Sequence, residues 1–425
     1  MNVLRRYDAI VIGAGLGGLL AAATIAKQGG SVLVLERLRY LGGRFTTVDQ
    51  DGYAMTTGAL HMAPHGGGGP LAHAMRDLGL AFDIVPRDVM ASFFVHGQHV
   101  LWNRSWDVMR LFGTQGKLDL LKITALMSVP FVDSRAAAQP FSEWLASQTR
   151  DPILPLFFHS FTQFAVSVRT EQISFGEMRA IHQNVLRYGM PGTPVGGCAS
   201  VIDKLAEFIR ARGGDIHTGI EVQRILASDR VHGVAVRNRQ TRELHTLAAP
   251  LVVSDAGPEA TRKLLPTLPE IERVPHAAGL KLHIVSDTSL IPHNGVMLCL
   301  GTRRISGMVE VSRSVPSVVP PGSHMIDTFQ VTRGDSMVEE RDLAVADLRD
   351  IFGADFDRHC RIARTSAFRN RWPVNQARQG FDLQDQEPIR GLLMVGDAYK
   401  PSGHIMVEGV AGGVSRIAPR LRGAA

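Results

Sequence analysis

The run Gly13-Ala14-Gly15-Leu16-Gly17-Gly18 constrains this chain more than any other feature, because it stands between a strand pattern and a helix pattern. Residues 7–12 read as a buried strand, 19–28 as an alanine-rich helix stopped by Gly29-Gly30, and 32–35 as a second strand. Such a unit opens a doubly wound parallel sheet, and its glycines have separate jobs. Gly13 permits the tight turn, Gly15 lets the backbone approach a pyrophosphate, and Gly18 allows close packing of helix on strand; Ala14 and Gly17 belong to the same turn. The helix N-terminus offers unsatisfied N–H groups and a positive dipole end to phosphate. Glu36 stands where a carboxylate accepts hydrogen bonds from adenosine ribose hydroxyls and repels a 2′-phosphate. The pattern implies an adenosine diphosphate site, which NAD and FAD share.

A chain of 425 residues exceeds one ordinary core, and 45% hydrophobic with 20% charged residues is a globular composition. Two domains are expected. From residue 71 to 188 the texture changes to longer helical patterns rich in aromatics. There Phe157, Phe158, Phe161 and Phe164 recur at helical spacing, more as a core-facing stripe than as a substrate tunnel. Beyond Pro191-Gly192 a helix over 201–212 feeds strands at 215–218, 222–227 and 231–237 and then a strand at 251–254, a return to the first domain. Alternation resumes at 281–285 and 325–331, with a helix around 339–351, so a second sheet is expected. The fold class is therefore α/β: a Rossmann-like GxGxxG domain over 1–70, 191–262 and 386–425, and a substrate domain of mixed or antiparallel sheet plus helices over 71–190 and 263–385.

The net charge of +6 comes from Arg and Lys that are scattered rather than clustered, which speaks against a nucleic-acid partner and for contact with an anionic membrane surface. The most apolar later stretch, 118–131, is broken by Asp119, Lys122 and Pro130, whereas a spanning helix needs roughly 20 apolar residues. The N-terminus enters a strand at once without a signal-peptide pattern, so a soluble, cytoplasmic protein is expected, peripheral at most at the inner face of the membrane. Cys198, Cys299 and Cys360 lack CxxC spacing, and the 16 histidines form no HExxH. No metal, GxSxG elbow or P-loop is expected.

Glu36-Arg37-Leu38-Arg39-Tyr40-Leu41-Gly42-Gly43-Arg44 and Leu393-Met394-Val395-Gly396-Asp397-Ala398 resemble the flavin-binding signatures of the phytoene desaturase and flavin amine oxidase superfamily. The resemblance implies FAD. It places Arg37 in the adenosine signature, Gly42, Gly43 and Arg44 along the pyrophosphate and ribityl chain, and Asp397, after Gly396, on the ribityl hydroxyls. It further implies that Val222 holds the adenine through its backbone and that Asp255 ends the strand returning to the dinucleotide domain. Gly58-Ala59-Leu60 corresponds to the flavin-facing segment, though the family's preceding Asp-x-Gly is here Thr56-Thr57-Gly58. Met406 and Val407 lie in the segment that packs on the isoalloxazine, where amine oxidases commonly carry an aromatic at the place of Met406.

By the same resemblance Lys281 matches the lysine that binds a water near flavin N5; the competing reading is an edge-strand lysine in solvent. His61 and His65 are candidates to orient substrate or shuttle a proton, against a plain role in loop hydrogen bonding. The glycines at 66–69 suit either a lid hinge or a passive turn. The implied function is an FAD-dependent oxidoreductase acting on C–H bonds of an apolar isoprenoid or polyene by desaturation, saturation or isomerisation, with quinone or oxygen as acceptor. Amine oxidation is the enzymatic rival, favoured by Lys281 and disfavoured by Met406. Rab-escort and GDP-dissociation-inhibitor proteins, which bind prenylated partners without FAD, are the non-enzymatic one; retention of Gly13, Glu36, Arg44 and Asp397 argues against it.

Overall fold

The computed structural model describes residues 6–59, 61–104, 106–129, 133–268 and 274–421. Short apolar strands such as AIVI and VLVLE, buried along their whole length, can sit only where both faces are covered. They form a five-stranded parallel sheet in the order Leu392–Met394, Leu251–Ser254, Ala9–Ile12, Val32–Glu36, Asp215–Thr218. One face carries the helices Leu16–Lys27, Gly197–Ala211 and Met406–Leu421, packed around the fully buried Ala21, Ala22 and Ala23, whose small side chains let the helices approach closely. The other face is covered by the antiparallel meander Ile220–Ala227, Val231–Asn238, Leu244–Ala248. The first helix begins at Leu16, three residues before the expected 19, because the glycine turn itself supplies its first turn.

A second, seven-stranded sheet runs in the order Cys360–Phe368, Gly279–Ser286, His324–Val331, Gly307–Glu310, Val296–Leu300, Ala91–Val95, Gln98–Trp102. All its pairings are antiparallel except Val296–Leu300 with Ala91–Val95. Its flanks, Ala91–Val95 with Gln98–Trp102 and Cys360–Phe368, were not expected from the sequence. Gly279–Ser286 therefore lies inside the sheet, flanked on both sides, and the reading of Lys281 as an edge-strand lysine in solvent is corrected.

On one side of this sheet, helix Met337–Phe352 packs Ala344, Leu348 and Ile351 against Leu280, Leu282 and Ile284. On the other side, the helices Thr114–Ser128, Phe141–Gln148, Ile153–Phe161 and Phe175–Tyr188 enclose an apolar cluster. Phe158 and Phe164 are buried in it, and Phe157 and Phe161 pack against it, as a core stripe does. Gly66–Gly68 is a short 3-10 turn packed against the backbone at Met190 and Tyr188 rather than a free hinge. Among the described residues no helix is long and apolar enough to cross a membrane.

Candidate active site

The glycine turn is a cradle that tolerates nothing larger. A Cβ on Gly18 would strike the Gly13 carbonyl, and one on Gly15 or Gly17 would strike the Asp255 carboxylate. The Gly42-Gly43 loop lies directly on this turn: Gly42 pairs with Gly15 in a parallel bridge and its N–H donates to the Ala14 carbonyl at 2.7 Å. Both glycines have positive φ, +92° and +55°, as so tight a crossing of backbones requires. Glu36 is buried and its carboxylate accepts from the N–H of Ala14 and of Leu38, each at 2.8 Å, so it braces the turn from the sheet end where the ribose is expected. These features fit a bound pyrophosphate: closely approachable backbone at a helix N-terminus, with the acidic residue one strand away.

Asp255 faces the same helix start. Withdrawal from water pushes its carboxyl up to about 7; the Gly18 N–H and Arg44 pull it back, while Asp397 and Glu36 push it further. An anion seated on this helix terminus and an ionised Asp255 would oppose each other.

Arg44 joins the two signatures that lie more than three hundred residues apart. Its guanidinium pairs with Asp397 at 2.8 Å and donates to the carbonyls of Pro373 and Val374. Burial would raise the Asp397 carboxyl, but Arg44 and Lys400 more than offset this and hold it below its usual value, while the Gln376 N–H donates to it at 3.0 Å. Sequence reasoning missed Lys400, which is fully buried, paired with Asp382 and bonded to the Asp397 carbonyl at 2.6 Å. It braces the turn that presents Asp397.

The second polar cluster grows from strand periodicity. Lys281 and His283 are two residues apart and share a face, opposite the face of Leu280, Leu282 and Ile284. Across the antiparallel register His283 stands opposite Asp327. The Asp327 carboxylate takes both: Lys281 Nζ at 2.6 Å on one oxygen and His283 Nδ1 at 2.7 Å on the other. Lys281 is fully buried and also donates to Thr56 Oγ1 and to the Gly58 carbonyl, and Thr56 Oγ1 bonds Asp327. Burial would raise the Asp327 carboxyl, yet His283 and Lys281 hold it well below its usual range. Asp327 and His283 were not singled out in the sequence; the available signal was two polar residues at strand spacing in an otherwise apolar run.

His61 completes this cluster. Burial lowers its pKa to about 4, with Asp327 pulling it partly back, so the ring is neutral near pH 7. Its Nε2 has no hydrogen-bond partner among the described residues, and the residue lines a cavity of about 160 Å³ together with Thr56, Cys198, Val311 and Val315. Burial pushes the Cys198 thiol up to about 12, so it is no nucleophile there. His65 is placed elsewhere, with Nδ1 on the Gly189 carbonyl and its ring against Tyr188.

Ala59 is buried, and a Cβ on Gly58 would strike the Arg44 carbonyl; Leu60 lies outside the described residues. Met406 has φ +49° at the start of the last helix, an uncommon conformation for a non-glycine residue, and receives the Asn375 amide on its sulfur at 3.8 Å. Val407 packs on the first core, Val222 is buried in the meander, and Arg37 is exposed with its carbonyl bonded by Arg239. Gly396 has φ +104° and faces Asp255 across the cradle. Among the described residues no group of His, Cys, Asp or Glu is arranged to hold a metal ion.

A sequence family described as flavin-containing amine oxidoreductase matches residues 16–411. An uncharacterized protein of Methanocaldococcus jannaschii is 31% identical over 408 residues, 96% of this chain and 97% of that one. The all-trans-retinol 13,14-reductase of Macaca fascicularis is 24% identical over 300 residues, 60% of this chain and 48% of the reductase. The crystal structure of an oxidoreductase from Methanosarcina mazei matches with a TM-score of 0.87 at 32% identity, covering 96% of this chain and 99% of that one.

Proposed function

The chain belongs to the flavin-containing amine oxidoreductase family, and on that premise we propose that this FAD-dependent oxidoreductase acts on C–H bonds of an apolar substrate, an isoprenoid or polyene. One observation carries the choice of substrate. Ala59 and Met62, from the segment after Thr56, form a single apolar cluster with Ile405 and with Phe158, Phe164 and Met178 of the helical half; Met406 packs against it. An amine arrives as a cation and asks for a carboxylate or an aromatic box. The carboxylate of the neighbouring polar cluster, Asp327, is already shared between Lys281 and His283, and Met406 stands where amine oxidases commonly carry an aromatic. The retinol-reductase likeness supports the same class of substrate.

The bound flavin would supply the redox step, accepting or returning a hydride equivalent at a carbon centre. The chain's residues do the rest. Gly13, Gly15, Gly18 and Glu36 would hold the adenosine diphosphate half, and Gly43, Arg44 and Asp397 the ribityl side. The apolar cluster excludes water, and Lys281 is a donor fixed by three partners rather than a mobile surface cation. Neutral His61, whose Nε2 has no partner among the described residues, can hydrogen-bond a bound group beside the cavity. Quinone or oxygen would serve as electron acceptor, and desaturation, saturation and isomerisation would use the same site.

The test is an anaerobic screen of the purified flavoprotein with isoprenoids, polyenes and amines, followed by flavin absorbance. Bleaching by apolar substrates is expected. Bleaching by amines alone would transfer the site to amine oxidation, and a protein that neither carries nor takes up FAD would be a prenyl-binding protein.

A further inference from the structure

We propose that the outer face of helix Thr114–Ser128 is a docking surface for an anionic lipid bilayer. A helix on a protein surface ordinarily turns one stripe inward and covers the other with polar side chains. This one is apolar on both. Its inner stripe, Leu120, Ile123 and Met127, is buried in the cluster of the substrate half. Its outer stripe consists of Leu118, Leu121, Ala125 and Leu126, continued by Val129 just past the helix end. Leu118 is 57% exposed, Leu121 48%, Val129 39% and Leu126 37%. Single exposed leucines need no account, but a stripe at helical spacing does.

The stripe extends onto its neighbour. Arg179 and Gln183 of helix Phe175–Tyr188 donate to the Val129 carbonyl, and His182 bonds Ser128, so that face of the second helix abuts the end of the first. One turn on from His182 and Gln183, on the same face, Leu186 is 64% exposed. In the segment leading into the first helix, Trp106 is 71% exposed, a side chain suited to the boundary between acyl chains and headgroups.

The charges around the stripe match an anionic surface. Lys117 and Lys122 are exposed on the helix, with Arg104 before it and Arg179 and Arg187 on the neighbour, while Arg110 is paired with Asp107. The helix's own carboxylate, Asp119, is turned inward onto Thr149 and Gln115. Asp107 is occupied by the N–H groups of Asn103 and Arg104 and by Arg110. A basic, apolar helix face of this kind binds lipid by burying aliphatic side chains below a rim of cations. Its inner face adjoins the cluster that reaches Ala59, Met62 and Ile405, so docking would set the helical half against the solvent in which an apolar substrate dissolves.

The surface serves the apolar-substrate reading, but vesicle binding is measured without substrate, so either can fail alone. The flavoprotein is sedimented with phosphatidylcholine vesicles with and without phosphatidylglycerol. Binding is expected with the anionic lipid and should weaken as salt rises. Leu118→Glu with Leu121→Glu should lower it at least about tenfold, while flavin absorbance and melting temperature stay unchanged. Lys117→Glu with Lys122→Glu should weaken it and flatten its salt dependence, and Leu244→Glu, on the exposed edge of the meander, should do nothing. Absence of binding, or equal binding by the leucine variant, overturns the proposal. So does a solution dimer that the leucine variant dissociates, which would assign the face to a second copy of the chain.

Discussion

Lys281 is fully buried, so its charge depends on one carboxylate and two oxygen acceptors. Lys281→Met leaves Asp327 with only His283 and the Thr56 hydroxyl and should cost about 3–5 kcal/mol of stability by chemical unfolding, the usual penalty for halving a buried pair. Adding Asp327→Asn should recover most of that. If the lysine serves the flavin, both variants should also be reduced at least about tenfold more slowly with FAD retained, a loss of roughly 1.4 kcal/mol in the barrier; rates equal to wild type would make the pair structural. Asp255 makes a separate prediction through pH. Its carboxyl lies near 7, so ionisation across about pH 6 to 8 places a negative charge beside the helix terminus that is to receive phosphate. FAD affinity should fall across that range by up to about tenfold, and Asp255→Asn should flatten the profile in a fluorescence titration.

At the scale of elements, the last helix ties the His61–Leu71 region to the dinucleotide half through Glu408. That fully buried carboxylate accepts from the N–H of His65 at 3.1 Å and of Leu71 at 2.8 Å, and burial pushes it up to about 7. Because the folded value lies above the unfolded one, its contribution is complete below about pH 4.5 and is lost as pH rises through about 7. Glu408→Gln should therefore gain stability relative to wild type over that window, by up to about 3 kcal/mol, read as the difference in melting temperature at each pH. The elements that sequence periodicity located were those with a single strong signal: residues 215–218 and 251–254 are strands from end to end, as expected. Ala91–Val95 was missed because a five-residue apolar run amid helical aromatics has no period of its own, and Cys360–Phe368 because it carries two arginines on an outer strand. The cofactor cradle was legible because its glycines and Glu36 are local. Asp327 was not, because only the antiparallel register brings it to His283 from 44 residues away.

Seen whole, the parallel sheet is assembled from strands that begin at Ala9 and finish at Met394, with the seven-stranded sheet drawn largely from the chain between. A chain stopped after Glu387 would lack the outer strand Leu392–Met394, the carboxylate that pairs with Arg44, and the helix that covers Leu16–Lys27. Such a truncation should show no flavin absorption after purification and incubation with FAD, even where helical circular dichroism persists. The same topology sets an order of events during synthesis. A ribosome makes the glycine turn long before Asp397, so the early strands leave the exit tunnel with an unpaired edge and an uncovered helix and must keep that surface from other chains in the interval. Cofactor capture then waits until Asp397 has been made, and scarcity of FAD would be felt as a pool of empty polypeptide, held by chaperones or lost to proteases, rather than as slower synthesis.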